Sequence, residues 1–219
     1  QKGKSRSKSI QNIMKIPKKQ NIQQTNPEDP TRRYYQPFLR HFYIKRLKLA
    51  LECIPSGEQY NTILDMGYGG GIFFPELYIR CKRLYGMDTF GEEGKEKVRN
   101  MMERENIDAE LVTGSMTKTP FQDNFFDVVF CISALEHLEP EELETAILEI
   151  KRITKKNGLI ILGFPSGRKL MQIYCMLVQR NFHFDFHRSD HKLIIKNVEN
   201  NLAIENTKKL SAELKKLYE

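Results

Sequence analysis

The strongest constraint in this chain of 219 residues is an alternation of short apolar runs with stretches of helical spacing. The runs are Ile63 to Met66, Arg83 to Met87, Ala109 to Thr113, Phe126 to Cys131 and Leu159 to Phe164, most of them ending at Gly, Asp or Pro. Apolar runs of this length bounded by turn residues read as strands. Helical patterns lie between them at Phe73 to Lys82, Glu92 to Glu105 and Pro140 to Lys156, the last with Pro at its first position and Gly158 just past its end. Strands joined by helices of that length need crossover connections. The prediction is therefore an α/β fold: a Rossmann-like, doubly wound, mostly parallel sheet with helices on both faces. Ligands bind such sheets beyond the carboxyl ends of the strands, so the residues just after each strand are the ones to read for chemistry.

The organisation along the chain follows from composition. Residues 1–30 are rich in Lys, Gln, Asn and Ser and close on Asn26-Pro27-Glu28-Asp29-Pro30, which reads as a basic, flexible tail and linker. Residues 31–219 read as one domain. Within it, 31–57 form a helical cap, 58–166 a cofactor-binding core, and 167–219 substrate-side and C-terminal elements. Residues 1–26 hold Lys2, Lys4, Arg6, Lys8, Lys15, Lys18 and Lys19 and no acid, which accounts for the whole net charge of +7. A body neutral in sum argues against a broad nucleic-acid groove, whereas a basic arm can touch an anionic membrane surface. No run approaches the roughly 20 apolar residues of a membrane span, and the basic start leads into Gln11 and Asn12 rather than an apolar block, so no secretory signal is expected. Cys53, Cys81, Cys131 and Cys175 are widely spaced with no CxxC pair, which points to a reducing, cytoplasmic setting and no zinc site.

Three strand tips carry the chemistry. After the first strand comes Asp65-Met66-Gly67-Tyr68-Gly69-Gly70-Gly71, where glycines let the backbone turn tightly and approach a ligand. The spacing is GxGxG, with Ile72 where a dinucleotide fingerprint needs its last Gly, and an acid two residues ahead suits a cationic group better than a diphosphate. Asp88 ends the second strand, where a carboxylate can accept both hydroxyls of a ribose. Gly114-Ser115-Met116 follows the third and offers a short polar and an apolar side chain to an adenine.

These segments, together with VTGSMTKTPFQDNFFDVVF, ISALEHL and the helix leading to NGLIILGFPS, resemble the class I S-adenosylmethionine-dependent methyltransferases, most closely the small-molecule group called methyltransferase type 11. The resemblance covers about Thr62 to Ser166. It implies that Gly67, Gly69 and Gly71 run beside the methionyl and ribose parts of S-adenosylmethionine, with Asp65 near the amino group and Asp88 on the ribose. Thr89, Ser115 and Met116 would flank the adenine, although many relatives carry Asp at the position of Ser115. Tyr68, larger than the usual residue there, would narrow the surroundings of the methyl group, and Ile132, Ser133 and Leu135 would line the transfer cleft.

The implied reaction moves a methyl group to an O, N or C atom of a small-molecule or lipid-linked acceptor. A sulfonium-bound methyl is already activated, so alignment and water exclusion supply much of the rate and a base is optional. His137 is the candidate base; its plainer role is to stabilise the loop after the fourth strand with Glu136. Two rivals stand beside this reading: an NAD(P)-dependent oxidoreductase, and a binding or scaffold protein that keeps the fold without the activity. His183, Asp185 and His187 would share one face of a strand, with Asp190 and His191 close behind, but the pattern lacks the specificity of a metal motif. At the C-terminal end, Asn201 to Asn206 reads as a strand and Lys208 to Tyr218 as a helix.

Overall fold

The computed structural model describes residues 14–26, 29–165 and 188–208. Five parallel strands form one sheet: β1 (Tyr60–Met66), β2 (Cys81–Asp88), β3 (Ala109–Thr113), β4 (Phe126–Ile132) and β5 (Thr154–Gly163). Their order, β3-β2-β1-β4-β5, puts the glycine-ended strand at the centre. A central strand covered on both faces must be apolar on both, and Ile63, Leu64 and Met66 are fully buried.

One face of the sheet packs Ile63, Leu84, Val128 and Phe130 beneath α1 (Pro37–Leu51), α2 (Phe74–Tyr78) and α3 (Glu92–Glu105). The other packs Leu64, Met66, Val129 and Cys131 against α4 (Leu143–Ile153) and α5 (His191–Asn201). On α4 the buried residues Leu143, Ala146, Ile147, Ile150 and Ile153 repeat at three- and four-residue spacing, the stripe an amphipathic helix buries. Pro37 stands at the start of α1, and left-handed Asn106 (φ 53°) ends α3.

The doubly wound, parallel architecture is as the sequence predicts; several boundaries differ. The helix expected over Phe73 to Lys82 is only five residues long, and Cys81 and Lys82 belong to β2. The helix expected to reach Lys156 stops at Ile153, and Thr154 to Gly158 open β5. Gly158 is thus a strand residue, not a helix cap, and a Cβ on it would lie 2.9 Å from the Asp127 carbonyl. Asp190, which follows the alternating segment, caps α5 by accepting from Lys192 N and Leu193 N at 2.8 and 2.9 Å. Asn201 closes that helix, and 202–206 are irregular rather than a strand. His183, Asp185 and His187, and the helix expected beyond Lys208, lie outside the described residues.

The chain ahead of Thr31 also differs from a linker. Met14 is buried in the core with Ile16 and Ile22 packed against it. Lys15 N donates to Glu76, Lys18 N and Asn21 Nδ2 donate to Glu105 at 2.8 and 2.6 Å, and the Tyr35 hydroxyl donates to Pro17 O. A few aliphatic side chains among polar neighbours suffice to dock this segment.

Candidate cofactor and transfer site

Parallel pairing brings the strand tips together, with Met66 opposite Met87 on one side and Cys131 on the other. Gly67 N donates to Met87 O at 2.7 Å and Gly114 N to Asp88 O at 3.0 Å, which ties the three loops into one rim. Gly67, Gly69 and Gly71 all have positive φ (77°, 52° and 73°). A Cβ on Gly67 would also stand 2.6 Å from that of Ala134, so this position needs Gly for both its dihedral and its neighbour.

Asp88 is aimed at the glycine loop. One carboxylate oxygen accepts from Gly69 N at 2.9 Å and the other from Thr89 N at 2.7 Å. A carboxylate has about four acceptor sites, so lone pairs remain for a diol. Asp65 is 4% exposed at the end of β1. Burial, and secondarily the charge of Asp88, push its pKa up to about 7; burial raises Asp88 as well, opposed by the Gly69 and Thr89 N–H groups. Two carboxyls held in this way repel a diphosphate and attract a cation.

A second group joins Ser133 and Glu136 to Arg46, which the linear pattern did not single out. Arg46 on α1 donates to the Ser133 hydroxyl at 2.6 Å and to the Tyr34 hydroxyl at 2.7 Å, with its guanidinium 4.8 Å from the Tyr43 ring centre. Its Nε is buried without a hydrogen-bond partner, as is Oε2 of Glu136. Glu136 is 3% exposed, and burial raises its pKa against the opposing pull of His137 and Arg46. Ser133, just after β4, is held at φ 57°, a left-handed conformation uncommon outside Gly, by the bond from its N–H to Gly163 O. The available clue was a lone cation on the apolar face of α1, three or four residues from Tyr43, Leu49 and Ala50.

The remaining sequence candidates divide. Met116 lies at the rim, its Cε 3.8 Å from where a Gly67 Cβ would be, and Ile132 is half-buried against Gly163. Thr89 and Ser115 are exposed, and the Ser115 hydroxyl is engaged with Thr117 Oγ1 at 2.8 Å. His137 is exposed at the end of the turn Leu135–His137. Tyr68 does not narrow a methyl site: its ring packs between Phe74 and Phe90 and against Gly86. Leu135, 1% exposed, is core rather than cleft wall. Beside the loop stands Asp29, whose carboxylate accepts from the N–H and hydroxyl of both Thr25 and Thr31 at 2.5–3.0 Å. A Cβ on Gly70 would overlap the Thr31 hydroxyl, so residues 29–31 roof the loop closely.

Residues 64–162 match the family described as "Methyltransferase domain". An uncharacterized methyltransferase of Schizosaccharomyces pombe is 31% identical over 112 residues, covering 47% of this chain and 39% of the yeast protein. The chain spans about half the length, or less, of the curated relatives it matches. Among solved structures, a Pyrococcus horikoshii protein aligns with a TM-score of 0.66 at 22% identity, over 83% of this chain and 90% of that one. The N-methyltransferase NodS of Bradyrhizobium japonicum, in complex with S-adenosyl-L-homocysteine, aligns at 0.58 and 19% identity over 81% of each chain. Identities this low speak for the fold. Residues 64–162 are thus similar to the methyltransferase domain family, and the chain shares its fold with these solved structures.

Proposed function

We propose that the protein is an S-adenosylmethionine-dependent methyltransferase acting on an O, N or C atom of a small-molecule or lipid-linked acceptor. The observation that carries this reading is the Asp88 carboxylate, anchored on Gly69 N at 2.9 Å beside a buried Asp65. Asp88 would take the ribose hydroxyls through its free lone pairs. Asp65 would take the α-ammonium group and the unpartnered, buried Nε of Arg46 a carboxylate, so that an acid and a guanidinium together complement an amino-acid zwitterion.

When bound, the cofactor supplies a methyl group activated by its sulfonium. The protein's part is then to orient and to keep out water. The glycine loop fixes the cofactor's backbone-facing side, the segment from Asp29 to Thr31 roofs it, and the turn after β4 presents Ser133 and Glu136 to the transfer cleft. Positioning of this kind accounts for effective molarities of up to about 10⁵ to 10⁸ M without any covalent step. His137, exposed at the rim, is where an acceptor's proton can be taken up.

Supporting this reading are the family match and the fold shared with an N-methyltransferase solved with S-adenosyl-L-homocysteine. The acidic tips and Ile72 in the third-glycine position favour it over a nicotinamide enzyme. The test is transfer of labelled methyl from S-adenosylmethionine to a panel of phenols, amines and prenylated quinols. Label in an acceptor fixes its class. Cofactor binding with no transfer to any acceptor would favour the scaffold reading instead.

A further inference from the structure

Beyond the cofactor site, the charge of the domain is unevenly placed. From Pro30 to Leu51 the chain carries Arg32, Arg33, Arg40, Lys45, Arg46 and Lys48 and not one carboxylate. The next acid, Glu52, is already paired with Lys208 at 2.8 Å. On α1 the buried positions Leu39, Leu47, Leu49 and Ala50 face the domain. Arg40, Ile44 and Lys48 stand at four-residue intervals along the outer side, with His41 beside them; Arg40, His41 and Lys48 are exposed and Ile44 is half-buried. Neither Arg40 nor Lys48 forms an ion pair among the described residues, and Arg32, just ahead of the helix, is exposed and likewise unpaired. Through Arg46 on its inner side, the same helix touches Ser133 at the mouth of the cleft.

We propose that the outer face of α1 is a docking surface for an anionic membrane. A convex facet about 22 Å long, studded with cations and a half-exposed aliphatic side chain, matches the surface of an anionic bilayer. It matches nucleic acid less well. Among the described residues the exposed large hydrophobic side chains are Ile79, Leu148, Ile195 and Ile204, with no aromatic among them to stack on a base. The outer side of α3 carries Glu92, Glu93 and Glu96, which breaks any longer basic track.

The test is co-sedimentation of the full chain with phosphatidylcholine vesicles, with and without phosphatidylglycerol, and with a random-sequence DNA duplex as the competing polyanion. Each cation at such a surface contributes about fivefold to partitioning, so Arg40→Glu/Lys48→Glu is expected to weaken binding to anionic vesicles by about 25-fold or more. Lys82→Glu/Arg83→Glu, an equal charge change at the amino end of β2, is expected to change it several-fold less. Neutral vesicles should not bind, and added salt should release the anionic ones. The proposal is overturned by an absence of binding to anionic vesicles, by the α1 variant binding as the wild type does (which would assign the contact to the basic tail), or by duplex binding in preference to vesicles. Near-UV circular dichroism checks that the variants are folded. No cofactor enters the assay, so its failure leaves the methyl-transfer reading untouched.

Discussion

Gly69 donates its backbone N–H to the Asp88 carboxylate at 2.9 Å, across the 19 residues that separate the tips of β1 and β2. This bond sets the rotamer of the acid that the proposed function assigns to the ribose hydroxyls, and it does so with a group that a tightly turned loop presents. Replacing Asp88 with Ala removes two charge-assisted hydrogen bonds to a ribose, each worth about 1.5 to 3 kcal/mol. The dissociation constant for S-adenosylhomocysteine is expected to rise by about 100-fold or more, read by isothermal titration calorimetry.

Asp65 predicts a pH dependence. Its folded pKa, about 7, lies above the ordinary 3.8, so between those values the folded state holds a proton that the unfolded state releases. Stability contributed by this group therefore falls as pH rises from about 4 to about 7 and is flat above. Asp65→Asn should remove the penalty, gaining up to a few kcal/mol at pH 8 and almost nothing at pH 4, as measured by urea unfolding. Binding of a cationic ligand draws the proton off, so affinity for S-adenosylmethionine should weaken below pH 7 in the wild type and change less in the variant.

Arg46 separates the two ends of the cofactor. Arg46→Met keeps the stem and removes the guanidinium. Loss of one charge-assisted bond should raise the dissociation constant for S-adenosylhomocysteine by about 10-fold or more. Methylthioadenosine, which lacks the amino-acid end, should bind variant and wild type alike. Equal losses for both ligands would mean that Arg46 only braces Tyr34 and Ser133.

Gly70→Ala tests the roof. The added methyl meets the Thr31 hydroxyl, and overpacking of this kind costs about 1 to 3 kcal/mol. The segment ahead of Thr31 should become susceptible to limited proteolysis at a protease concentration that leaves it intact in the wild type. Unchanged cleavage would show that residues 29–31 are not held by the loop.

What was legible in the sequence was what is local. Periodicity located α3 and β3 to the residue, and the meeting of Gly67, Asp65 and Asp88 at one rim could be foreseen because strand tips in a parallel sheet converge by topology. Boundaries set by pairing were not legible. Lys155, Lys156 and Asn157 look like a helix end, yet they lie in β5 because Thr154 pairs with Phe126 and Leu159 with Val128. The strap from Met14 to Thr25 reads as linker by composition, since its anchors, Glu76 and Glu105, are 61 and 87 residues away from Lys15 and Lys18. Arg46 and Glu136 gain their meaning from each other's neighbourhood, which no spacing records. Tyr68 and Leu135 had the right addresses and the wrong orientation, because loop position does not say which side of the backbone a ring or an isobutyl group takes.

Calorimetric titration of the purified chain with S-adenosylhomocysteine, run beside NADH, bears most directly on the whole. One equivalent of the former should bind the wild type, weakly at best the Asp88→Ala variant, while NADH gives no saturable heat. Saturable NADH binding, or wild-type protein that takes up no S-adenosylhomocysteine, would contradict the assignment of the glycine loop and its two aspartates to an adenosyl sulfonium.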